Sequence, residues 1–382
     1  MWEAGNTGGG VVIATIDTGV RHTHEALAPG FRGGDYSWFD AINGSAQPYD
    51  DNGHGTLTTG LVSGGKGVGM APGAQWIACK GLNASGQGTD AQLLKCGQWV
   101  ACPTTTDGAS SNCSAAPNVV SNSWGDGDED HPGQGHTTFE PVLKAWQKLG
   151  IVGVFAAGNS GDNCTTVVSP ADLTGAIAVG GTDRYDYLAG WSSKGPALTP
   201  GGDFGTQKPE VVAPGASVAS ASNTNDHSYG AASGTSLSCP HVAGTVALLL
   251  AADGTHTPET IRKALTTSAD TATLQDDTSN LNCGAGKKFP NFIFGYGRVN
   301  ACRAAGVGGN CTAAPTSLQC GCDHGCASMC GQLGDTCCMM TGGVNGACNC
   351  GPPRADSTCG KCTKTDNCCG KAELEVRFPV QV

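Results

Sequence analysis

Four residues stand at separated places in the 382-residue chain where a turn would leave a reactive side chain accessible. Ser236 lies in Ser233-Gly234-Thr235-Ser236-Leu237-Ser238-Cys239-Pro240-His241-Val242-Ala243-Gly244, a tight turn entering a long apolar helical pattern. The N–H groups of a first helical turn lack intrahelical partners and carry the positive end of the helix dipole. A serine there can attack a carbonyl with its own N–H ready for the oxyanion; read alone, it is more commonly an N-cap. His54, in Asn52-Gly53-His54-Gly55-Thr56, opens a helix with glycine on both sides. Its imidazole titrates near neutrality and suits proton transfer, with capping and metal binding as the alternatives. Asp17, in Ile16-Asp17-Thr18-Gly19, puts a carboxylate at the end of a buried run, where alone it reads as a turn. Asn159 closes Phe155-Ala156-Ala157-Gly158-Asn159, and its amide can donate to a developing oxyanion. Taken together, Ser236, His54 and Asp17 form a nucleophile, base and orienter set.

These residues need a scaffold that brings strand ends and helix starts together. Short apolar runs at Val11–Asp17, Trp76–Gly81, Val119–Trp124, Ile151–Ala157, Ala176–Gly181 and Glu210–Ala213 read as strands buried on both faces. Helical patterns cover Gly55–Ser63, Asp90–Ala101, Thr137–Leu149, Ser236–Ala252 and Thr257–Ala269, with Asp90 and Thr257 as N-caps and Pro258 in a first turn. The alternation predicts an α/β fold: a doubly wound, mostly parallel sheet with helices on both faces. Reactive residues then belong at the carboxyl ends of the strands.

Charge narrows the partners. Against 21 basic residues there are 32 acidic ones, a formal charge of −11, which disfavours a nucleic-acid or anionic-membrane partner. The longest apolar stretch, Val242 to Ala252, is too short to span a bilayer. Twenty-one cysteines point to an oxidising compartment, and the odd number leaves at least one thiol over. Sequons at Asn43, Asn83, Asn112, Asn163 and Asn310 fit a secretory route and a glycoprotein. The first residues carry no charged or apolar leader and no prosegment, so the chain is read as a mature or trimmed form.

The chain order Asp17, His54, Ser236, with Asn159, resembles the subtilisin-like serine proteases over about residues 5–306. The stretches Trp76–Lys80, Gly88-Thr89-Asp90 and Ala116–Gly125 are most similar to the bacillopeptidase F branch. The resemblance implies a secreted serine endopeptidase, with protein or peptide substrates, acting as a monomer without a catalytic cofactor. It implies that Ser236 attacks, His54 carries the proton, Asp17 holds the imidazole, and Asn159 with the Ser236 N–H binds the oxyanion. Ser123, Trp124 and Gly125 would meet the substrate backbone, with Trp124 walling an upstream side chain. Ala156, Ala157, Gly158 and Asn159 would line the primary specificity pocket. Ser169-Pro170 falls where relatives carry a cis proline.

Asp126 stands where close relatives have a second glycine, read either as a pocket-rim charge favouring a basic residue or as a solvated loop charge. His22-Thr23-His24-Glu25 reads as a metal site or, as in relatives, as a metal-free stretch; His241 reads as a packed structural residue. Calcium is a common structural ion in the family, and Asp50, Asp51 or the 126–130 run are open candidates to hold it. The rival reading is a non-catalytic secreted scaffold or binding protein.

The cysteines divide the chain into a catalytic domain, 1–310, and a module, 311–382. Eight cysteines precede residue 310 and thirteen follow, twelve of them between Cys320 and Cys369, where few large apolar residues remain and disulfides must hold the fold. Cys359-Gly360-Lys361-Cys362 reads as disulfide-bonded rather than as half a zinc knuckle. Leu374, Val376, Phe378 and Val380 alternate as a strand would. The module's role stays open among substrate tethering, matrix or glycan binding, and stabilisation. Placed behind the nucleophile, Cys239 is the expected free thiol. Cys311 is then expected to clamp the domains by bonding to Cys283 or Cys302.

Overall fold

The computed structural model describes residues 1–126, 136–161, 163–198, 204–275, 283 and 288–306. The chain forms strands β1 (Val12–Asp17), β2 (Trp38–Asp40), β3 (Gln75–Lys80), β4 (Val119–Asn122), β5 (Val152–Ala156) and β6 (Ile177–Thr182), all but β2 on apolar runs named above. After them, β7 (Ala197–Leu198) and β8 (Phe204–Thr206) make a separate antiparallel pair, and β9 (Val211–Pro214) rejoins the main sheet. Among the described residues the main sheet has seven strands in the order β2-β3-β1-β4-β5-β6-β9, paired in parallel throughout. A hairpin of β10 (Val218–Ala221) and β11 (Tyr229–Ala232) lies outside it. The chain builds one side of β1 first and then crosses to β4 on the other side. Crevices at the carboxyl ends of strands form where the order reverses in this way.

Side chains alternate between two layers. On one face Ile13, Val154, Ala156, Ile177 and Val179 pack under α4 (Thr235–Ala252) through Val242, Val246 and Leu249. On the other, Ile16, Phe155 and Ala178 meet Cys96 and Trp99 of α2 (Asp90–Ala101) and Leu143 and Trp146 of α3 (Glu140–Lys148). The period-two alternation along strands that are apolar throughout is what a sheet covered on both faces requires. The α1 helix (His54–Ser63) packs beside α4, and α5 (Pro258–Thr267) and α6 (Ala301–Ala304) add Ile261, Leu265 and Ala304 to the same layer. By length and composition α4 would suit a bilayer, but most of it is buried in the core.

Local expectations fare unevenly. Thr257 caps α5 from its side chain, with Pro258 in the first turn. Asp90, expected as an N-cap, is instead the first residue of α2; Thr89 is the cap, exchanging bonds with Gln92 in a capping box. The 137–149 pattern splits into a short 3₁₀ turn, Thr137–Phe139, and α3, because Pro141 fits only a first helical turn. The Ser169–Pro170 bond is cis.

Disulfides Cys79–Cys96 and Cys102–Cys113 are local, and Cys164–Cys283 closes a loop of 119 residues. Cys283 is therefore not the partner of Cys311. Cys302 is also disulfide-bonded, while Cys239 is a buried free thiol. The proposed 311–382 module, the twelve-cysteine cluster and the 374–380 strand signal lie outside the described residues. Replacing Cys164 and Cys283 together by alanine should lower stability by up to about 5 kcal/mol, the chain entropy of so long a loop. The denaturant midpoint, compared with that of the parent, checks it.

Candidate active site

Asp17 ends β1, His54 begins α1 and Ser236 is the second residue of α4; all three are almost fully buried. His54 Nδ1 donates to Asp17 Oδ1 at 2.8 Å. A carboxylate only accepts, so Nδ1 carries the proton and Nε2 is the basic nitrogen of the neutral ring. Asp17 also accepts from the Thr18 N–H at 2.7 Å and from the Thr58 hydroxyl at 3.0 Å. Burial opposes the imidazolium, but the Asp17 charge, its hydrogen bond and the Asp50 charge outweigh that and push the His54 pKa up.

Glycine makes the Asp17–His54 approach feasible. A Cβ on Gly55 would stand 2.1 Å from the Gly19 carbonyl oxygen, so the first turn of α1 meets the exit of β1 backbone to backbone.

The start of α4 shows why Ser123 matters. Pro240 lies inside the helix and has no N–H for the Ser236 carbonyl four residues earlier. The Ser123 hydroxyl supplies that bond at 2.8 Å, and the Ser236 hydroxyl donates to the Ser123 carbonyl at 3.2 Å. Behind them the Cys239 thiol contacts the Ser121 hydroxyl and the Asn122 carbonyl, each at 3.6 Å, and burial pushes its pKa up to about 12. The end of β4 and the start of α4 are thus stitched at successive positions.

Asn159 lies beside this turn. Its carboxamide oxygen accepts from the Thr235 N–H at 2.8 Å and the Thr235 hydroxyl at 3.0 Å, which leaves the NH₂ group as the outward donor. The Thr235 hydroxyl also accepts from the Gly158 N–H at 3.2 Å. A Cβ on Gly234 would stand 3.3 Å from Asn159 Nδ2 and 3.7 Å from the Ser236 nitrogen, so two donors border the space its absence leaves. Thr235 and Ser123 hold this geometry. Nothing in the residue pattern marks Thr235, and Ser123 reads there only as a substrate contact. Pro240 is the available signal, since it orphans one carbonyl.

The other singled-out residues are placed as follows. Ala156, Ala157 and Gly158 are buried at the end of β5 and just beyond it. Trp124 is buried edge-on against Phe139 and Phe155, its indole N–H without a partner among the described residues, and lines a cleft with Leu93, Leu94, Asp126 and Pro170. Gly125 follows it, and the Asp126 N–H donates to the Ser169 carbonyl at 2.7 Å. The exposed Asp126 carboxylate lies 3.5 Å from His136. His24 donates from Nε2 to the Ser228 carbonyl and accepts the Ala26 N–H at Nδ1, so both nitrogens are engaged. His241 donates from Nδ1 to the Leu237 carbonyl at 2.7 Å.

Asp50 and Asp51 do not fit a calcium site. Asp50 already accepts five hydrogen bonds from Thr18, Asn52, Gly53 and Thr56, and Asp51 pairs with the buried Lys80 ammonium at 2.6 Å. Residues 127–130 lie outside the described residues. Among the described residues no three acidic, histidine or cysteine side chains gather closely enough to hold a metal.

Residues 8–297 match the family model of the Subtilase family. The chain belongs to the subtilase family. This subtilase is 34% identical over 322 residues to bacillopeptidase F of Bacillus subtilis, a match covering 78% of the chain and 21% of that protein. To the serine protease AprX of the same species it is 32% identical over 323 residues, covering 77% of the chain and 66% of that protein. It therefore spans about a fifth of one relative and just under two thirds of the other. The crystal structure of a cold adapted subtilisin-like serine proteinase superposes with a TM-score of 0.58 at 28% identity, covering 71% of this chain and 86% of that one. The doubly wound sheet described above is the subtilisin-like fold.

Two outcomes test this geometry. Thr235→Val should lower kcat about tenfold with little change in KM, because the Asn159 amide loses its orientation, and Thr235→Ser should restore it. Iodoacetamide should leave Cys239 unmodified in the native protein and alkylate it after unfolding, as peptide mapping by mass would read.

Proposed function

We propose that this subtilase is a secreted serine endopeptidase that cleaves proteins or peptides through an acyl-enzyme. The observation that carries the reading is the buried His54–Asp17 hydrogen bond, which fixes the imidazole as the Nε2 base. In the reaction the Ser236 hydroxyl leaves the Ser123 carbonyl, gives its proton to His54 Nε2 and attacks the peptide carbonyl. The imidazolium, still bonded to Asp17, then protonates the leaving amine. Water enters by the same route in reverse and releases the acid. The oxyanion meets Asn159 Nδ2 and the Ser236 N–H in the space beside Gly234. Removing such an amide donor costs about 3–4 kcal/mol in subtilisin itself, a magnitude carried over to Asn159 by similarity alone.

Substrate backbone pairs along Ser123, Trp124 and Gly125, with Ala156, Ala157 and Gly158 on the far side of the pocket. None of these steps draws on a cofactor. Disulfide bonds among the described residues support an extracellular destination, since cytosolic thiols are kept reduced.

A fluorophosphonate probe should label Ser236 in the folded protein, and Ser236→Ala should lose both labelling and peptide hydrolysis while keeping its far-UV spectrum. Folded parent protein that is never labelled would leave the non-catalytic scaffold as the reading. The neutral imidazole is the active form, and Asp17 raises its pKa. kcat/KM should therefore climb with pH and reach half its plateau above the ordinary histidine value of about 6.5.

A further inference from the structure

The α1 helix starts without help from its own cap residue. Gly53 has no side chain, yet the first N–H groups of a helix need partners from outside it. Three side chains supply them. The His54 N–H donates to Asn52 Oδ1 at 3.1 Å, the Gly55 N–H to the Thr18 hydroxyl at 2.9 Å, and the Thr56 N–H to Asp50 Oδ2 at 2.9 Å. Asp50 organises this set. Its Oδ1 accepts from the Thr18 hydroxyl at 2.9 Å, the Asn52 N–H at 3.1 Å and the Gly53 N–H at 2.8 Å. Its Oδ2 takes the Thr56 hydroxyl as well, at 2.6 Å. One carboxylate thus grips the first turn of α1 and, through Thr18, the residue next to Asp17.

Its charge has a separate effect. The positive end of the α1 dipole lies at His54 and opposes a second positive charge on the ring. A carboxylate seated on those N–H groups offsets it. The charged groups acting on His54 are Asp17 from β1 and Asp50 from the loop before α1. Lys80 of β3 faces the Thr18 and Leu82 carbonyls and is paired with Asp51. Ser236 of α4 and Asn223 of the hairpin turn, which bonds the Asp50 carbonyl, bring no charge.

We propose that Asp50 is a positioning residue for the His54 imidazole, holding α1 against β1 through Thr18 and offsetting the helix dipole when the ring takes the Ser236 proton. The proposal rests on the reading of His54 as the general base.

Two substitutions separate charge from tether, with kcat counted per site titrated by a fluorophosphonate so that unfolded chain does not enter. Asp50→Asn keeps the size and removes the charge. By turning an NH₂ group toward donors the carboxylate had accepted, it loosens the grip as well, so the pH limb reads the charge and Thr18→Val reads the tether alone. The acid limb of kcat/KM should move down by about 0.5 pH unit, and kcat should fall about tenfold with KM within about twofold. Thr18→Val breaks the tether and keeps the charge, so kcat should fall similarly with the limb in place, and Thr18→Ser should restore it. An acid limb that stays put in Asp50→Asn overturns the proposal, as does Thr18→Val with unchanged kcat. Histidine NMR on isotope-labelled protein reads the same displacement of the His54 titration without turnover. Should the parent cleave nothing, the peptidase reading fails, while the NMR shift still decides the role of Asp50.

Discussion

The turn that begins α1 can reach Asp17 only because backbone touches backbone there. With 2.1 Å between a hypothetical Gly55 Cβ and the Gly19 carbonyl oxygen, any side chain at that position would force the helix away from the strand. The 2.8 Å bond between His54 and Asp17 exists within that closeness, in a region almost without solvent access. Low polarity strengthens the attraction between the two groups and makes an unpaired charge costly. The pair is therefore stable only as a unit, and the surrounding loops are arranged to keep it one. In α4, Pro240 imposes a matching discipline: by removing one helical bond it obliges Ser123 to reach over to the Ser236 carbonyl.

Much of the fold was legible because a doubly covered parallel sheet writes itself as short, uninterrupted apolar runs. Six such runs became β1, β3, β4, β5, β6 and β9. The segments that escaped notice lack that signature for definite reasons. β2 is a three-residue edge strand, Trp38–Asp40, too short to show a pattern. The hairpin strands read Val-Ala-Ser-Ala and Tyr-Gly-Ala-Ala, small residues that make no hydrophobic run. Asp90 read as the cap of α2, and only the reciprocal bond with Gln92 assigns that place to Thr89.

At the site, the residues with distinctive chemistry were legible and those that hold them were not. Asp17, His54, Asn159 and Ser236 carry functional groups that stand out beside glycine. Thr18, Asp50, Ser123 and Thr235 are ordinary polar residues whose importance depends on which N–H or carbonyl is orphaned nearby, a property of three-dimensional arrangement. Asp50 shows the difference. Its acidity was visible and invited a metal, whereas the five donors already around it leave no room for that use. The cysteine arithmetic was sound for Cys239, whose place behind Ser236 isolates it; of the two partners it offered Cys311, Cys283 is taken by Cys164, 119 residues away in sequence, and Cys302 is disulfide-bonded.

Sequence distance within the site has its own consequence. Asp17 and His54 are 37 residues apart, Asn159 and Thr235 are 76, and Ser123 and Ser236 are 113. Contacts between such remote segments form late, after loop closure and parallel strand pairing have been achieved. A chain with its sheet half built therefore lacks the site, whose side chains gather only as these remote segments close.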